Sequence, residues 1–201
     1  MSALTTKTLY LLICLCCCGF FSKAQKLKFL IPDGAVVQHA GSIGYFSGGV
    51  SYDLFKSKKG SLDITYGYLP ENKGGAFSTI STKFIYRPLK IKANDWLTIY
   101  PINPATFISY TVNKDFDLTW DRGQYSKGYY YWSEALRIHL AFGSELKFNT
   151  NKLIQSKKIN ALSLYYEINT NDVYIINYVQ NKSYLNITDI FKAGIGLRAY
   201  F

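Results

Sequence analysis

The C-terminal stretch FKAGIGLRAYF, residues 191–201, alternates between two kinds of side chain up to the last residue. One face carries the apolar set Phe191, Ala193, Ile195, Leu197, Ala199 and Phe201. The other face carries Lys192, Gly194, Gly196, Arg198 and Tyr200. A period of two residues indicates a β-strand with a different environment on each side. Chain ends normally fray, so a regular strand here requires a partner for its backbone and a surface for its apolar face.

The composition favours one domain rich in β-structure. The chain has 201 residues, 17% of them aromatic, with 18 Tyr and 13 Phe, and aromatic residues favour strands. The formal net charge is +10. No run of Lys and Arg is longer than the pairs Lys58–Lys59 and Lys157–Lys158, which lie in turn-like stretches. We therefore expect no nucleic-acid partner.

Residues 1–24 have the pattern of a secretory signal peptide. Lys7 precedes an apolar segment at 8–21 that is too short to span a membrane comfortably, and Ser22-Lys23-Ala24 forms a cleavage site. The mature chain is then 25–201. All the cysteines lie in the signal segment, so the mature chain cannot form disulfides or thiolate metal sites; they are Cys14, Cys16, Cys17 and Cys18.

Alternation continues through the mature chain, whereas no long helical period and no internal repeat is found. The predicted strands are 44–54, 61–69, 79–86, 97–112, 136–148, 160–168, 172–180 (the weakest) and 188–201. Pro101 and Pro104 predict an interruption in the strand 97–112. The pattern therefore predicts an all-β fold.

Two architectures produce such alternation: a soluble barrel of the lipocalin type and an outer-membrane barrel, in which the apolar face contacts lipid. The polar face here consists mainly of Gly, Ser, Thr and Ala with few charges. Such small side chains suit the narrow lumen of an eight-stranded barrel better than a water-exposed surface. Tyr and Phe also cluster near strand ends, as in membrane-interface belts. We predict a closed antiparallel transmembrane β-barrel, with eight strands preferred and ten also compatible.

The charged residues of the polar face should meet inside the barrel and plug the lumen. The predicted lumenal polar network is Asp53, Asp63, Lys83, Arg137, His139, Glu145, Lys147, Glu167, Lys192 and Arg198. If 44–54 is the first strand, the closing strand brings Arg198 or Lys192 to Asp53. Glu145 and Glu167 are then expected near Arg137 or Lys147.

One feature conflicts with the usual form of such barrels. With eight strands and both termini in the periplasm, residues 113–135 fall on the periplasmic side, where turns are normally short. Either 26–37 adds a strand or 116–133 contains a hairpin.

Three stretches carry a resemblance to a known family. GYYYWSEAL (128–136), LYYEINTNDVYIINYVQN (164–181) and TDIFKAGIGLRAYF (188–201) resemble small, largely uncharacterised outer-membrane β-barrel proteins of Bacteroidota. The terminal strand ending in Phe201 resembles the signal by which bacterial barrels are recognised for insertion. The resemblance implies location in the cell outer membrane, contact with its lipid and interaction with the barrel-assembly machinery. It implies no particular activity.

An enzymatic function is one candidate, because some eight-stranded outer-membrane barrels are lipid A deacylases or acyltransferases. The deacylases use a His-x-Ser pair and a Glu on the lipid-facing surface. Here His139 is followed by Leu140 and Ala141, and its parity directs it inward, whereas Ser144 has the opposite parity. His39 has no matched acid or nucleophile. We expect a non-enzymatic structural or partner-binding protein.

Two alternatives remain open, a hydrolase of lipid A or phospholipid and a narrow channel for small solutes. The stretches Asp-Phe-Asp (115–117) and Thr-Asn-Asp (170–172) could bind calcium but lack a full ligand set, so we expect no metal or cofactor. The segment 120–134, WDRGQYSKGYYYWSE, either binds a glycan or partner protein or forms an aromatic belt, and the belt is favoured.

Overall fold

The structure is a computed structural model and describes residues 30–112, 133–153 and 158–201. The barrel lies within the compact unit Pro32–Phe201. The predicted signal peptide, residues 1–24, lies outside the described residues.

Nine strands are found in the described residues. They are β1 (Gly34–Ala40), β2 (Phe46–Leu54), β3 (Gly60–Leu69), β4 (Phe77–Tyr86), β5 (Ile91–Lys92), β6 (Leu97–Val112), β7 (Leu136–Asn149), β8 (Ala161–Asn171) and β9 (Lys192–Tyr200). A helix, α1 (Asp172–Gln180), lies between β8 and β9, and a single helical turn, Thr150–Leu153, follows β7. Short 3-10 turns occupy Glu71–Lys73 and Ile187–Ile190.

Eight of these strands close into an antiparallel barrel. Neighbouring strands pair in the order β4-β3-β2-β1-β9-β8-β7-β6, and β4 pairs with β6 to complete the circle. The remaining strand, β5, is an extra piece that pairs Ile91 with Ile99 and Lys92 with Thr98 on β6. The all-β, eight-stranded closed barrel predicted from the alternation is therefore confirmed.

The terminal strand is held on both sides, which explains its regularity. Arg198 of β9 lies opposite Val36 of β1 and Ser163 of β8. The pairing continues beyond the strand, because the Phe201 backbone N–H donates to the Asp33 carbonyl at 2.9 Å. Closure leaves no free edge at which the chain end could fray.

The apolar face of every long strand points out of the barrel. Leu197 is 53% exposed, whereas its neighbour Arg198 is 1% exposed. Large side chains on this outer surface include Val37, Phe46, Ile64, Ile80, Ile108, Ile138, Leu140, Phe142, Leu162, Leu164, Ile168 and Ile195. The inner face is polar, so this molecule has the reverse of the distribution found in water-soluble proteins.

The prediction that 44–54 is the first strand was wrong. Strand β1 (Gly34–Ala40) precedes it and overlaps the segment 26–37 that was considered as an additional strand. Its inward face contains Val36 beside the polar Gln38, both buried, which obscures the alternation. With β1 in place, the connection 113–135 joins β6 to β7 at the barrel end opposite the chain terminus, which removes the conflict noted for eight strands.

The prediction of a strand at 172–180 was also wrong, because this segment forms helix α1. The Asn171 side chain caps it by accepting from the backbone N–H of Tyr174 at 2.9 Å, a typical helix start. Among the residues that the structure describes, no helix has the length and apolar character needed to cross a membrane.

The predicted interruption in β6 is confirmed. Its pairing with β7 shifts register between Tyr100 and Asn103, around Pro101, which cannot donate a ladder hydrogen bond. On the partner strand, the Ser144 hydroxyl donates to the Pro101 carbonyl at 2.5 Å. This hydrogen bond gives a partner to one backbone carbonyl in the interrupted part of the ladder.

Candidate functional site: the charged lumen

The lumen contains charged side chains that are removed from water. Six of them are 1–5% exposed: Asp63, Lys83, Arg87, Glu145, Glu167 and Arg198. They come from β3, β4, β7, β8 and β9 and from the residue that follows β4, and they form two groups at different heights. Burying a charge is costly unless it is paired and hydrogen-bonded, so the pairing within each group decides its stability.

The group nearer the chain terminus, which we call the Arg198 cluster, comprises Arg198, Asp63, Glu145 and Arg87. The guanidinium of Arg198 donates through Nη2 to Asp63 Oδ2 at 2.5 Å and through Nη1 to Glu145 Oε2 at 3.3 Å. The same Glu145 oxygen accepts from Arg87 Nε at 2.9 Å. One arginine on β9 thus bridges β3 and β7 through the barrel interior.

Hydroxyl groups complete the Arg198 cluster. The Tyr200 hydroxyl donates to Glu145 Oε1 at 2.5 Å, and the Ser51 hydroxyl donates to Asp63 Oδ1 at 2.6 Å. Arg87 Nη1 donates to the Ser61 hydroxyl at 3.0 Å. Both oxygens of each carboxylate therefore have partners, which offsets the cost of removing them from water.

The second group, the Lys83 cluster, comprises Lys83, Glu167, Gln38 and Tyr165. Lys83 Nζ lies 2.6 Å from Glu167 Oε2 and 3.2 Å from Gln38 Oε1. The Gln38 amide donates to Glu167 Oε1 at 3.1 Å, and the Tyr165 hydroxyl donates to Gln38 Oε1 at 3.0 Å. This cluster joins β4, β8 and β1.

The two clusters are in contact and are electrically balanced. The Arg198 guanidinium carbon lies 5.3 Å from the centre of the Tyr165 ring, a cation–π distance. The Arg198 cluster contains two cations and two anions, and the Lys83 cluster contains one of each. A neutral, hydrogen-bonded set can remain buried, whereas loss of one member leaves a charge uncompensated.

A less polar layer lies beyond the Lys83 cluster. Phe107 stacks on His139 with ring centroids 4.0 Å apart, and Ile43 belongs to the same buried group as Phe107. Lys83 Nζ lies 4.9 Å from the Phe107 ring centre. Aromatic, aliphatic and charged side chains together fill this level of the lumen.

His139 does have a serine partner, although not Ser144. Ser109 on the adjacent strand β6 lies 2.8 Å from His139 Nε2, while Ser144 faces outward and bonds Pro101. His139 Nδ1 has no partner among the described residues, so no acid orients the ring. Ser109 and His139 are 3% and 2% exposed, so both lie inside the barrel rather than on its lipid-facing surface.

The predicted lumenal residues fall into three groups of exposure. Buried are Asp63, Lys83, His139, Glu145, Glu167 and Arg198; partly buried are Asp53, Arg137 and Lys147; exposed is Lys192. Lys192 lies at the rim, 5.4 Å from the ring centre of Tyr174 in α1.

The predicted contact of Arg198 or Lys192 with Asp53 was wrong. The strand beside β9 is β1 rather than β2, so the Arg198 side chain reaches Asp63 on β3. Asp53 instead pairs with Lys58 of the following turn at 3.1 Å.

The expected neighbours of the two glutamates are confirmed only for Glu145, which interacts electrostatically with Lys147; the ion pairs that the structure shows join the glutamates to other residues. Glu145 pairs with Arg87 and Arg198, and Glu167 pairs with Lys83 across the lumen. Lys147 lies 3.2 Å from the centre of the Tyr200 ring, and Arg137 donates to the Ser133 carbonyl. The prediction considered residues on the same or neighbouring strands, which lie on one side of the barrel. In a narrow barrel, long side chains also reach strands on the opposite side of the lumen.

Six network residues were missed: the small residues Ser51 and Ser61, and the larger residues Gln38, Arg87, Tyr165 and Tyr200. Gln38 lies in the unpredicted strand β1, and Arg87 follows the predicted end of β4 before Pro88. Tyr165 and Tyr200 occupy the same alternating positions as Glu167 and Arg198, respectively. This alternation could have indicated that both tyrosines point into the lumen.

Other candidate sites have weaker support. In the described part of the chain, no group of three or more His, Cys, Asp or Glu is placed to hold a metal ion. In the triplet 170–172, Asn171 serves as the α1 cap. The triplet 115–117 and most of the segment 120–134 lie outside the described residues.

No protein-family model, curated protein or solved structure matches this chain. The resemblance to outer-membrane barrels of Bacteroidota therefore stays a prediction, as do the roles of Phe201 in insertion and of the assembly machinery as a partner.

Proposed function

We propose that this chain is an integral outer-membrane β-barrel protein, non-enzymatic and structural or partner-binding, whose lumen is closed by its own side chains. One observation carries the proposal: the barrel is apolar outside and charged inside. Leu140, Phe142 and Leu197 are 53–62% exposed, while Arg198, Asp63 and Glu145 are 1–2% exposed. A surface of this kind is unfavourable in water and favourable in a bilayer.

The same distribution argues against a soluble ligand carrier. A lipocalin-type barrel encloses an apolar cavity, whereas this lumen contains three buried cations paired with three carboxylates. Ion pairs that span the interior leave little room for an apolar ligand. They also oppose passage of solutes, which favours a closed barrel over the channel alternative.

The connections support an orientation with both termini in the periplasm. On the terminus side, β2 and β3 are joined by 55–59, and β7 and β8 by 150–160. On the opposite side, the connections include 113–135 and 172–191. Outer-membrane barrels have short periplasmic turns and longer external loops, so the long connections would form the surface available to a partner.

Location is tested by fractionating cells that express the full chain. We expect recovery with the outer membrane, resistance to carbonate extraction, and a folded band whose gel mobility changes on boiling. Recovery in the soluble periplasmic fraction as a folded protein would contradict the proposal.

The absence of activity and of conductance is tested on purified barrel. We expect no acyl release from lipid A and no stable current in planar bilayers. Acyl release that is lost in His139→Ala but kept in the control His39→Ala, with both variants folded, would favour the hydrolase. A steady wild-type current would favour the channel.

A further inference from the structure

The barrel end that carries the chain terminus opens into a polar cavity of about 730 Å³. The cavity lies next to the Arg198 cluster, since Arg87 and Tyr200 line it. Its walls come from the turn 55–59, the segment 87–95 and the ends of β6 and β7. We call it the basic vestibule.

Positive charge dominates the basic vestibule. Seven Lys or Arg residues and three Asp residues line it. Arg87 is already balanced by Glu145 in the Arg198 cluster, so the six lysines exceed the three aspartates by three positive charges. A second, smaller cavity differs in charge, because it is lined by Arg198 together with Glu145 and Glu167.

Four of the seven cations have no carboxylate partner among the described residues. Arg87 pairs with Glu145, Lys58 pairs with Asp53, and Lys147 interacts electrostatically with Glu145 and Asp53. No ion pair joins the remaining vestibule lysines to a carboxylate of the described residues; they are Lys56, Lys59, Lys90 and Lys92. Lys147 rests against the Tyr200 ring. Like charges held around one cavity repel one another, and an anion between them relieves that repulsion.

The size and the neutral groups of the vestibule fit a small polyanion. Its volume lies within the range of about 300–1,000 Å³ usual for small-molecule sites. The side chains of Ser57, Asn149 and Asn160 also line it and can donate hydrogen bonds. Lysine ammonium groups are compact charges well suited to phosphate oxygens.

We propose that the basic vestibule binds a multivalent phosphate anion, carried either by a soluble phosphorylated molecule or by a phospholipid headgroup. The lysines of the turn 55–59 and of the segment 87–95 approach the anion from two sides. The compartment that supplies it follows from the proposed membrane orientation, whereas binding itself does not depend on that orientation.

The test is calorimetric titration of the full-length folded barrel, in zwitterionic micelles, with inorganic pyrophosphate. The variant Lys90→Gln/Lys92→Gln removes two vestibule charges. The control Lys73→Gln/Lys182→Gln removes two exposed lysine charges from the opposite barrel end. All four residues lie in turns or loops or in the extra strand β5, so both variants should keep the heat-modifiable folded band.

We expect wild-type binding that weakens with salt, because exposed charges are screened. The vestibule variant should bind about tenfold more weakly or worse, since each cation near the anion contributes roughly fivefold in water. The control should bind like wild type. Competition by cardiolipin, whose headgroup carries two phosphates, added to the micelles assigns the site to a phospholipid headgroup, and lack of competition assigns it to a soluble phosphate. Absence of wild-type binding, or an equal loss in both variants, overturns the proposal.

Discussion

Removing the guanidinium of Arg198 should destabilise the barrel more than any change of similar size on the outer surface. Arg198→Met keeps most of the side-chain volume but leaves Asp63 without a cation and Glu145 with Arg87 alone. Breaking a buried pair by removing one partner costs about 3–5 kcal/mol. Arg198 is 1% exposed, so solvent screening does not reduce this figure substantially.

The measurement is urea unfolding in phospholipid vesicles, followed by tryptophan fluorescence and by the mobility of the folded band. The control is Leu197→Val, the next residue, which points outward and is 53% exposed. It removes one methylene from a lipid-facing side chain and should cost about 1 kcal/mol or less.

A double variant isolates the charge effect. Arg198→Met/Asp63→Asn restores neutrality in the Arg198 cluster, and the new amide oxygen can still accept from the Ser51 hydroxyl. It should therefore be more stable than Arg198→Met alone. If Arg198→Met is as mild as Leu197→Val, or if the double variant shows no recovery, then these charges are solvated and the closed-lumen argument fails.

Three further predictions concern the backbone, the helix cap and the chain terminus. A Cβ on Gly49 would lie 2.0 Å from the Ile64 carbonyl oxygen, whereas a Cβ on Gly48 would meet nothing closer than 3.8 Å. In urea unfolding, Gly49→Ala should lower the free energy of unfolding by about 1–3 kcal/mol, and Gly48→Ala should lower it much less. Equal losses in the two variants would contradict this packing. Asn171→Ala removes the α1 cap and should lower the free energy of local opening of α1 by about 1 kcal/mol. Amide hydrogen exchange should therefore be faster in α1 and unchanged in β8. Unchanged exchange in α1 would show that the cap is dispensable. Phe201→Ser should slow insertion in cells while leaving the unfolding free energy of the assembled barrel nearly unchanged, because the Phe201 contact with Asp33 is made by the backbone; normal insertion kinetics would exclude the terminal aromatic as a signal.

The faces of the strands could be read from the sequence because alternation is a local property. Successive side chains of a strand point to opposite sides whatever the partner strand is, so Leu197 and Arg198 had to lie in different environments. The small polar residues beside the few charges then indicated which face was the lumen. Two segments escaped this reasoning for local reasons. Strand β1 places Val36 inside, and α1 is an apolar segment that begins at the Asn171 cap and forms a helix rather than a strand.

The pairing of the charges was decided by the tertiary structure alone. Which carboxylate Arg198 meets depends on the strand beside β9, on the register of each pair and on closure between β4 and β6. Because β1 lies between β9 and β2, Arg198 pairs with Asp63 rather than with the expected Asp53. Arg87 joined the network from beyond a predicted strand end, and Lys83 crossed the lumen to Glu167. Alternation determines the direction of each side chain, but contact across a barrel requires the three-dimensional positions of strands that are distant in sequence.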